Sequence, residues 1–359
     1  MNKLKVFFEE GQTAKSNSSF SPSATKPALV VNEWQKLYGD KIEIVGFRPL
    51  TNAEMSVAHN PAYIEGLMNL TIPNGFGNLS ADVRDSLPYV NASVTNALEA
   101  AYHTGQSNFA PVSGAHHARY SNGGGFCTTN SLMVAAITLA KKQPIKIGIV
   151  DCDAHYYDGV VDIIKTLNID YIEGYSLGGD HRSITGKKFL KGFKNMLINK
   201  FKDCDVLLYN AGADSHIDDP LSGNIAFTTE EMFERDLILF QTMKELGVPV
   251  TACLAGGYQK DISKVIECHA NTMKAALVVE GMEDLKIQFE LSKASKEPKT
   301  DAEFAEYAKN EIAEHIRWGY LPTEKTEDDW ANLGRRIWND DFEEQEPPEF
   351  TGQGPYGYS

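Results

Sequence analysis

The sequence predicts an α/β protein: a single domain with a mostly parallel, multi-stranded sheet flanked by helices, followed by a C-terminal extension. Apolar runs at residues 146–151, 205–210 and 248–254 have the length and unbroken hydrophobicity of strands covered on both faces. Segments with helical spacing separate these runs, and strands that alternate with helices are typical of a parallel sheet. The three runs therefore predict the centre of the sheet.

The remaining elements are predicted from the same patterns, in chain order. Thr51 followed by Glu54 forms a capping box, which predicts a short helix, and His59 is interpreted as a structural histidine at its end. Residues 11–26, 72–85 and 109–127 are predicted to be loops, and no element is assigned to the lysine-rich segment that ends at residue 201. Further strands are expected at 3–8, 42–47 and 171–177, and helices at 27–38, 94–101, 129–141, 160–167, 233–246 and 261–279.

Composition limits the classes of protein to consider. The 359 residues are 42% hydrophobic and 23% charged, which is ordinary for a soluble globular protein. The net charge of -15 argues against a nucleic-acid partner and is compatible with cationic partners. Five scattered cysteines indicate reduced thiols in a cytoplasmic compartment. No stretch is suited to a signal peptide or a membrane span, so no membrane partner is expected.

Three polar side chains follow the run at 146–151 with a spacing that suits metal binding. Asp151, Asp153 and His155 occupy alternate positions, so an extended backbone projects them to one side. They stand at the carboxyl end of a strand, the edge at which open α/β sheets bind ligands. A lone Asp-x-His pair usually belongs to a solvated loop, but here the other two central runs lead to Asp214 and Tyr258.

Together these side chains predict a metal-assisted hydrolase. Two aspartate oxygens and one histidine nitrogen suit a hydrolytic zinc ion with an open position, and the lack of thiolates argues against a closed structural site. His116 and His117 lie in a glycine-flanked loop that can present both rings, and such a pair can supply a general base and a general acid. Tyr258, after two glycines, can donate a hydrogen bond to a substrate carbonyl oxygen.

These motifs resemble the zinc-dependent histone deacetylase and acetylpolyamine amidohydrolase superfamily, in particular its bacterial histone-deacetylase-like amidohydrolases. They occur in the order typical of the family and span about residues 1–280. The resemblance implies an arginase/deacetylase-like fold for this part of the chain. The matching segments are Gly114-Ala-His116-His117-Ala, Gly125-Phe126-Cys127, Asp151-Cys-Asp153-Ala-His155-Tyr-Tyr-Asp158-Gly159, Gly212-Ala-Asp214-Ser with Asp219-Pro220, and Gly256-Gly257-Tyr258, with weaker matches at 50–63 and 269–272.

The resemblance implies a metal site and two catalytic histidines. Zinc would be held by Asp153, His155 and Asp214. His117 would be the base that activates the attacking water and then protonates the leaving amine, next to His116. The backbone around the metal ligands would also hold a structural potassium ion.

The resemblance also implies roles for carboxylates and for residues that contact substrate. Asp151 would hold the charge of the neighbouring histidine and Asp158 would orient the catalytic base, with a purely supporting role for either carboxylate as the alternative. Tyr258 would polarise the amide carbonyl together with zinc. Phe126 would line the acyl tunnel, with Gly125 packed beside it.

Two features depart from the family pattern. A second tunnel aromatic is expected before a Gly-x-Gly-Asp segment, and Tyr175 is the nearest candidate. The segment from Gly178 to His181 resembles a manganese motif of ureohydrolases, but it stands after the Asp-x-His motif rather than before it. A binuclear ureohydrolase and an inactive acyl-binding protein therefore stay as the alternatives to a deacetylase.

The substrate class depends on one position in the loop of the third metal ligand. In the polyamine-specific branch of the family a glutamate follows Asp-Pro and recognises the distant ammonium, whereas this chain has Leu221 after Asp219-Pro220. An apolar residue favours the aliphatic stem of an acyl-lysine over a polyamine nitrogen. The expected substrate is therefore a small-molecule or peptide N-acyl amine of acyl-lysine type, with acetylpolyamine as the alternative because Asp218 could replace the glutamate.

The character of the chain changes near residue 290. Residues 1–290 are predicted to form the deacetylase-like catalytic domain, and residues 291–359 an acidic extension that is part helical, with an amphipathic helix at 303–318. The extension carries about half of the net negative charge. It is expected to pack on the domain or on a second subunit, and in the second case the protein would be a homo-oligomer.

Overall fold

A parallel seven-stranded sheet forms the centre of the computed structural model, which describes residues 3–283. The strands are β1 (Leu4–Phe7), β2 (Ile42–Val45), β3 (Asn108–Ala110), β4 (Ile147–Asp151), β5 (Ile172–Ser176), β6 (Ser183–Thr185), β7 (Val206–Asn210), β8 (Asn224–Ala226) and β9 (Val250–Cys253). Within the described range the sheet order is β2-β1-β3-β9-β7-β4-β5, and β6 and β8 form a separate parallel pair. The predicted fold class is confirmed.

Helices cover both faces of the sheet. They are α1 (Lys26–Tyr38), α2 (Asn52–Met55), α3 (Pro61–Met68), α4 (Ala81–Thr104), α5 (Ser131–Ala140), α6 (Asp158–Thr166), α7 (Leu177–Asp180), α8 (Gly186–Phe201), α9 (Thr229–Leu246) and α10 (Ile262–Val279), with a 3₁₀ turn at Glu10–Gln12. The capping box predicted at Thr51 and Glu54 is present at the start of α2. No helix within residues 3–283 combines the length and the apolar character needed to cross a membrane.

Strand β7 shows how the sheet separates two hydrophobic cores. Val206 and Leu208 point into a core with α3, α4, α5 and α6, whereas Leu207 and Tyr209 point into a core with α1, α8, α9 and α10. This alternation follows from the two-residue period of a strand and explains why the run is apolar throughout. Each large apolar side chain buried in this way contributes roughly 1.5–3 kcal/mol.

The parallel arrangement places three strand ends at one edge. Asp151 at the end of β4 pairs with Asn210 of β7, which in turn pairs with Cys253 of β9. The loops that follow these residues therefore start side by side.

Several elements differ from the sequence prediction. Helix α4 begins at Ala81 instead of near residue 94, because Ser80 caps it and the helix tolerates Pro88 at its eighth residue. The lysine-rich segment forms α8, whose buried face repeats at Phe189, Phe193 and Leu197. Strand β3 overlaps the start of the segment predicted as a loop at 109–127, and helix α3 was not predicted.

The C-terminal predictions fall outside the described residues. They are the extension at 291–359, its helix at 303–318, and the domain boundary near residue 290.

His59 is buried between α2 and α3 and holds backbone groups of two loops. Its Nδ1 atom donates to the Arg119 carbonyl oxygen at 3.0 Å, and its Nε2 atom accepts from the Asn130 amide at 2.9 Å. Burial lowers the pKa of His59 to about 4, so the ring is neutral at pH 7. The geometry agrees with the interpretation of a structural histidine.

The buried neutral imidazole of His59 predicts a loss of stability in acid. The unfolded chain binds a proton at His59 near pH 6.5 and the folded chain only near pH 4, so His59 destabilises the fold as pH falls through this window. This difference corresponds to about 3 kcal/mol. In urea unfolding at pH 7 and pH 4, His59→Gln should lose less stability with acid than wild type, although it is less stable at pH 7. Equal acid losses in the two proteins would contradict the assignment, and His103→Gln on α4 is the exposed-histidine control.

Candidate active site

Three side chains that can bind a metal converge where β4 and β7 end. Asp153 and His155 follow β4, and Asp214 follows β7. The His155 Nδ1 atom lies 3.0 Å from Asp153 Oδ1 and 3.0 Å from Asp214 Oδ2. One possible ligand atom from each residue lies within 4.8 Å of the other two. The strands thus bring together the predicted ligand set.

The donor set fits a small divalent cation. Ligands of one tetrahedral ion at about 2.0–2.1 Å lie roughly 3.3–3.4 Å apart, so donors 3.0 Å apart would need to separate only slightly to hold it. Burial and the adjacent Asp153 carboxylate raise the pKa of Asp214 well above its usual value, and a cation between the two carboxylates would relieve this repulsion. Among residues 3–283 this is the one cluster of three or more His, Cys, Asp or Glu side chains with such a geometry.

Backbone amides fix the two carboxylates. The Ala154 amide donates to Asp214 Oδ1 at 3.0 Å, and the Gly256 amide donates to Asp153 Oδ2 at 2.9 Å. A Cβ atom at Gly256 would lie 2.4 Å from Asp214 Oδ2, so a side chain there would displace this carboxylate. The Gly-Gly-Tyr motif therefore supports the ligands as well as carrying the tyrosine.

The loop between β3 and α5 brings the two adjacent histidines together, with ring centroids 4.0 Å apart. His116 Nδ1 lies 2.7 Å from Asp151 Oδ2, and His117 Nδ1 lies 2.6 Å from Asp158 Oδ1. The loop lets both rings point into the site, as the sequence predicts.

The environments of the two histidines differ. Burial alone would lower the pKa of His116, but the Asp153 and Asp151 carboxylates raise it to about 9. Burial and the neighbouring His116 lower the pKa of His117, although its bond to Asp158 acts in the opposite direction. The pair therefore consists of a cationic His116 and a neutral His117 at neutral pH.

Both carboxylates that contact the histidines have a second partner. Asp151 Oδ1 accepts from the Asp153 amide at 2.9 Å, which links the histidine pair to the metal ligands. Asp158 Oδ2 accepts from Arg119 Nη2 at 2.6 Å and from Arg119 Nε at 3.2 Å. Burial would raise the pKa of Asp158, but His117 and Arg119 lower it, so the carboxylate stays ionised.

Tyr258 is held at the site through its own backbone. Its amide donates to Asp219 Oδ2 at 2.6 Å, and the other oxygen of Asp219 accepts from the Leu221 amide at 3.0 Å. Burial and the nearby carboxylates of Asp153 and Asp214 raise the pKa of Tyr258 well above its usual value. The phenol is thus protonated and able to donate at neutral pH.

A buried lysine supports the loop that carries Tyr258. Lys26, at the start of α1, is fully buried and donates to the carbonyl oxygens of Ala255 and, at 3.4 Å, Gly256. Burial lowers the pKa of Lys26 to about 8, against the opposing effect of nearby carboxylates such as Asp214. This side chain contributes positive charge behind the metal ligands.

The residues predicted to contact substrate have different surroundings. A Cβ atom at Gly125 would lie 2.5 Å from the His117 ring, so only glycine fits there. Phe126 adopts a left-handed backbone with φ +63° and packs its ring 5.5 Å from that of Tyr258. Leu221 is half-buried in the loop fixed by Asp219.

Tyr175 does not supply a second tunnel aromatic. It is 4% exposed, belongs to the core on one face of the sheet and packs against Phe189 at 6.4 Å. The suggestion made from sequence is wrong because Tyr175 lies inside β5, where its side chain points to the core.

Sequence reasoning missed three residues that support the site. Lys26 gives no local signal, since the carbonyls it contacts lie 229 and 230 positions away. Asp219 stands in a matched motif, but its contact with the Tyr258 amide depends on the fold. Arg119, two positions after His117, could have been proposed from its proximity in sequence alone.

Comparison with protein families gives a match over most of the described range. The model of the histone deacetylase domain matches residues 23–177 and 178–275. The crystal structure of the HDA15 HD domain superposes with a TM-score of 0.58 at 16% identity, covering 78% of this chain and 94% of that one. At this identity the superposition shows a shared fold.

Three relatives are similar in sequence. A protein of Picosynechococcus sp. described as uncharacterized is 26% identical over 247 residues, covering 62% of this chain and 81% of that protein. Histone deacetylase RPD3 of Saccharomyces cerevisiae is 29% identical over 141 residues, covering 35% of this chain and 32% of RPD3. Histone deacetylase 3 of Oryza sativa subsp. japonica is 26% identical over 161 residues, covering 41% of this chain and 31% of that protein. The aligned part is thus about a third of each named histone deacetylase.

Proposed function

The chain belongs to the histone deacetylase domain family, and from this premise we propose that it is a zinc-dependent amidohydrolase that removes acetyl or other acyl groups from N-acylated amines. The observation that carries the proposal is the cluster of Asp153, His155 and Asp214 donor atoms within 4.8 Å of one another. The histidine pair and Tyr258 lie beside this cluster. Such a combination supports metal-assisted hydrolysis of an amide.

Asp153, His155 and Asp214 would hold the metal through two carboxylate oxygens and one imidazole nitrogen. When bound, zinc supplies Lewis acidity, which lowers the pKa of a water molecule and polarises a carbonyl group. A zinc ion with these three protein ligands would keep a fourth position for water or substrate.

His117 is suited to move the protons of the reaction. Its Nδ1–H is directed at Asp158, so Nε2 carries the free lone pair and can accept a proton from water. Amide hydrolysis needs one proton removed from water and one delivered to the leaving nitrogen, and the same imidazole can do both in turn. His116, already protonated, contributes positive charge at the site.

Tyr258 is suited to stabilise the charge that develops on the amide oxygen. Its hydroxyl group stays protonated at neutral pH, its amide is held by Asp219, and Lys26 holds the Ala255 carbonyl oxygen three positions earlier. A donor that is already in place strengthens as charge accumulates in the transition state. A structural potassium ion near the backbone of the metal ligands is part of the same proposal.

The two histidines should differ in importance. His117→Ala removes the proton carrier, whereas His116→Ala removes a neighbouring charge, so the loss of kcat should be at least as large for His117→Ala. Both are compared by steady-state kinetics on zinc-loaded protein, with His103→Ala as the exposed control. A larger loss for His116→Ala would exchange the two assignments.

The substrate that we propose is of acyl-lysine type, with acetylpolyamine as the alternative. Leu221 offers an apolar surface at the position where a glutamate would bind a polyamine nitrogen, and an unpaired buried ammonium is unfavourable. The proposal is tested first by kcat/KM on a panel of N-acyl substrates, with zinc quantified in the same samples.

Leu221→Glu should change the order of preference. Wild type should hydrolyse an acetyl-lysine peptide faster than acetylspermidine or acetylputrescine in direct competition, and Leu221→Glu should shift the ratio toward the polyamine. Leu221→Gln, which adds polarity without charge, is the matched control. A wild-type preference for acetylpolyamine of about tenfold would instead favour the alternative, with recognition outside this loop.

A further inference from the structure

Arg235 on α9 is a fully buried arginine to which the proposed mechanism gives no role. Its Nη1 atom donates to the Gly212 carbonyl oxygen and to Ser215 Oγ, both at 3.0 Å. A longer contact of 3.5 Å joins the same atom to the Cys152 carbonyl oxygen. Gly212 and Ser215 lie on either side of one aspartate ligand, and Cys152 directly precedes the other. Arg235 therefore contacts both segments that carry the metal ligands.

The two ligand segments touch each other where Arg235 binds them. A Cβ atom at Gly212 would lie 2.4 Å from Asp153 Cα and 2.7 Å from Asp153 N, so the two backbones are in direct contact. The Ala213 amide donates to the Gly256 carbonyl oxygen at 3.0 Å, and the Gly256 amide donates to Asp153 Oδ2 at 2.9 Å. The peptide group between Gly212 and Ala213 thus connects the guanidinium to a metal ligand through hydrogen bonds.

The guanidinium is itself anchored by a neighbouring carboxylate. Arg235 Nε donates to Asp236 Oδ1 at 2.8 Å, and the Tyr209 hydroxyl donates to the same oxygen. The other oxygen of Asp236 accepts from Thr272 Oγ1 at 2.6 Å, which connects the pair to α10. The side chain therefore has one fixed orientation, with Nη1 directed at the ligand segments.

The stability of the core does not explain an arginine at this position. Arg235 Nη2 has no hydrogen-bond partner within residues 3–283, and a buried charge with an unsatisfied donor costs free energy. Apolar side chains of similar volume often replace a buried ion pair without loss of stability. Hydrogen bonds around metal ligands, in contrast, fix the orientation of the ligands and raise metal affinity. The contacts of Arg235 suit this second role.

We propose that Arg235 is a positioning residue that holds the segments of Asp153 and Asp214 at the separation that metal binding needs. The proposal rests on the proposed function, because it assigns Arg235 to the metal site of that reaction. A guanidinium is a rigid, planar donor that binds several acceptors at once, so it fixes two backbone segments relative to each other. Without it, the two carboxylates are free to move apart and the metal has to pay for their alignment.

Arg235→Met tests the proposal on the full-length protein, since it removes the guanidinium and leaves an unbranched apolar side chain. Asp236 keeps the hydroxyl groups of Tyr209 and Thr272 as donors in this variant. Competition with a chromophoric chelator should show zinc affinity lower by about tenfold or more, because the loss of groups that orient metal ligands typically costs 10–100-fold. The visible absorption of the cobalt-substituted protein, which depends on coordination geometry, should change as well.

Thr272→Val is the matched control, because it removes the far end of the same buried network and leaves the contacts of Arg235 with the ligand segments. It should lower the melting temperature without a change in zinc affinity or in the cobalt spectrum. Wild-type zinc affinity in Arg235→Met, or an equal loss of affinity in Thr272→Val, would show that Arg235 only supports the core. Either result overturns the proposal.

Arg235→Lys replaces Arg235→Met if the methionine protein does not fold. Lysine keeps the charge beside Asp236, but its ammonium lacks the planar fork that reaches both ligand segments. Its zinc affinity should therefore lie clearly below that of wild type. An affinity equal to that of wild type would contradict the assignment of a positioning role to the guanidinium.

Hydrogen exchange on metal-free protein separates failure of this inference from failure of the proposed function. Peptides that cover residues 151–155 and 211–216 should exchange faster in Arg235→Met than in wild type, and Thr272→Val should leave them unchanged. If wild type binds no zinc but shows this difference, the proposed function fails and the positioning role of Arg235 stands. If wild type binds zinc and neither affinity nor exchange depends on Arg235, the inference fails alone.

Discussion

Asp214→Ala should abolish both tight zinc binding and hydrolysis. Asp214 is fully buried, its Oδ2 atom lies 3.0 Å from His155 Nδ1, and its Oδ1 atom accepts from the Ala154 amide at 3.0 Å. Removal of this carboxylate takes away one of three donors and leaves Asp153 and His155, which are too few for a stable catalytic zinc site. The loss of activity should be complete within detection, because the remaining groups would act without a Lewis acid.

The variant is assayed by metal analysis after dialysis and by turnover of an N-acyl substrate at saturating zinc. Asp203→Ala changes an exposed carboxylate that precedes β7, at the opposite end of this strand from Asp214, and should keep both zinc and activity. Asp214→Asn keeps the shape of the side chain and serves as a second variant if the alanine protein melts at a lower temperature. Full turnover by wild type in a strong chelator, with metal absent by analysis, would contradict the proposed mechanism.

The central strands could be predicted because their signal is local. The runs that became β4, β7 and β9 are buried on both faces, so each position is apolar whichever core it meets. Strand β3 has only three residues, and its place between β1 and β9 depends on partners far along the chain. A strand of this length has no periodicity to detect.

The start of α4 and the whole of α8 were not predicted, because in each a local sequence signal opposed the structure that tertiary packing favours. Pro88 suggests a break, yet α4 continues through it because the helix packs along its length against the core. In α8 the many lysines obscure, in the sequence, a regular apolar face formed by Phe189, Phe193 and Leu197. Burial of such a face outweighs the weak preferences of the exposed positions.

The residues of the site also fall into two groups: some are marked by sequence motifs, and others are brought into place only by the fold. Asp153 and His155 could be paired from sequence because they are two positions apart in an extended segment, so their side chains lie on one side. The contact of Asp219 with the Tyr258 amide spans 39 positions, and the Lys26 contacts span more than 200. Groups that hold the catalytic residues in place thus come from the fold, whereas the groups that react are marked by motifs.

Tyr258→Phe should reduce kcat by about 10²–10³ while KM changes little. The substitution removes one hydroxyl group and keeps the ring, so the packing against Phe126 at 5.5 Å is preserved. The phenol is protonated at neutral pH because burial and the carboxylates of Asp153 and Asp214 raise its pKa. Its hydrogen bond to the amide oxygen is weak in the bound substrate and strong in the transition state, and only such a difference lowers kcat.

Steady-state kinetics on zinc-loaded protein gives the two constants, and metal analysis shows whether zinc is retained. Tyr102→Phe removes a hydroxyl near the end of α4, at the edge of the sheet opposite the site, and should leave both constants unchanged. Because the Tyr258 amide still donates to Asp219 in Tyr258→Phe, the loop geometry is maintained and a fall in kcat reports on the hydroxyl itself. A change of less than about threefold would place Tyr258 outside the reacting groups, and a rise in KM alone would assign it to substrate binding.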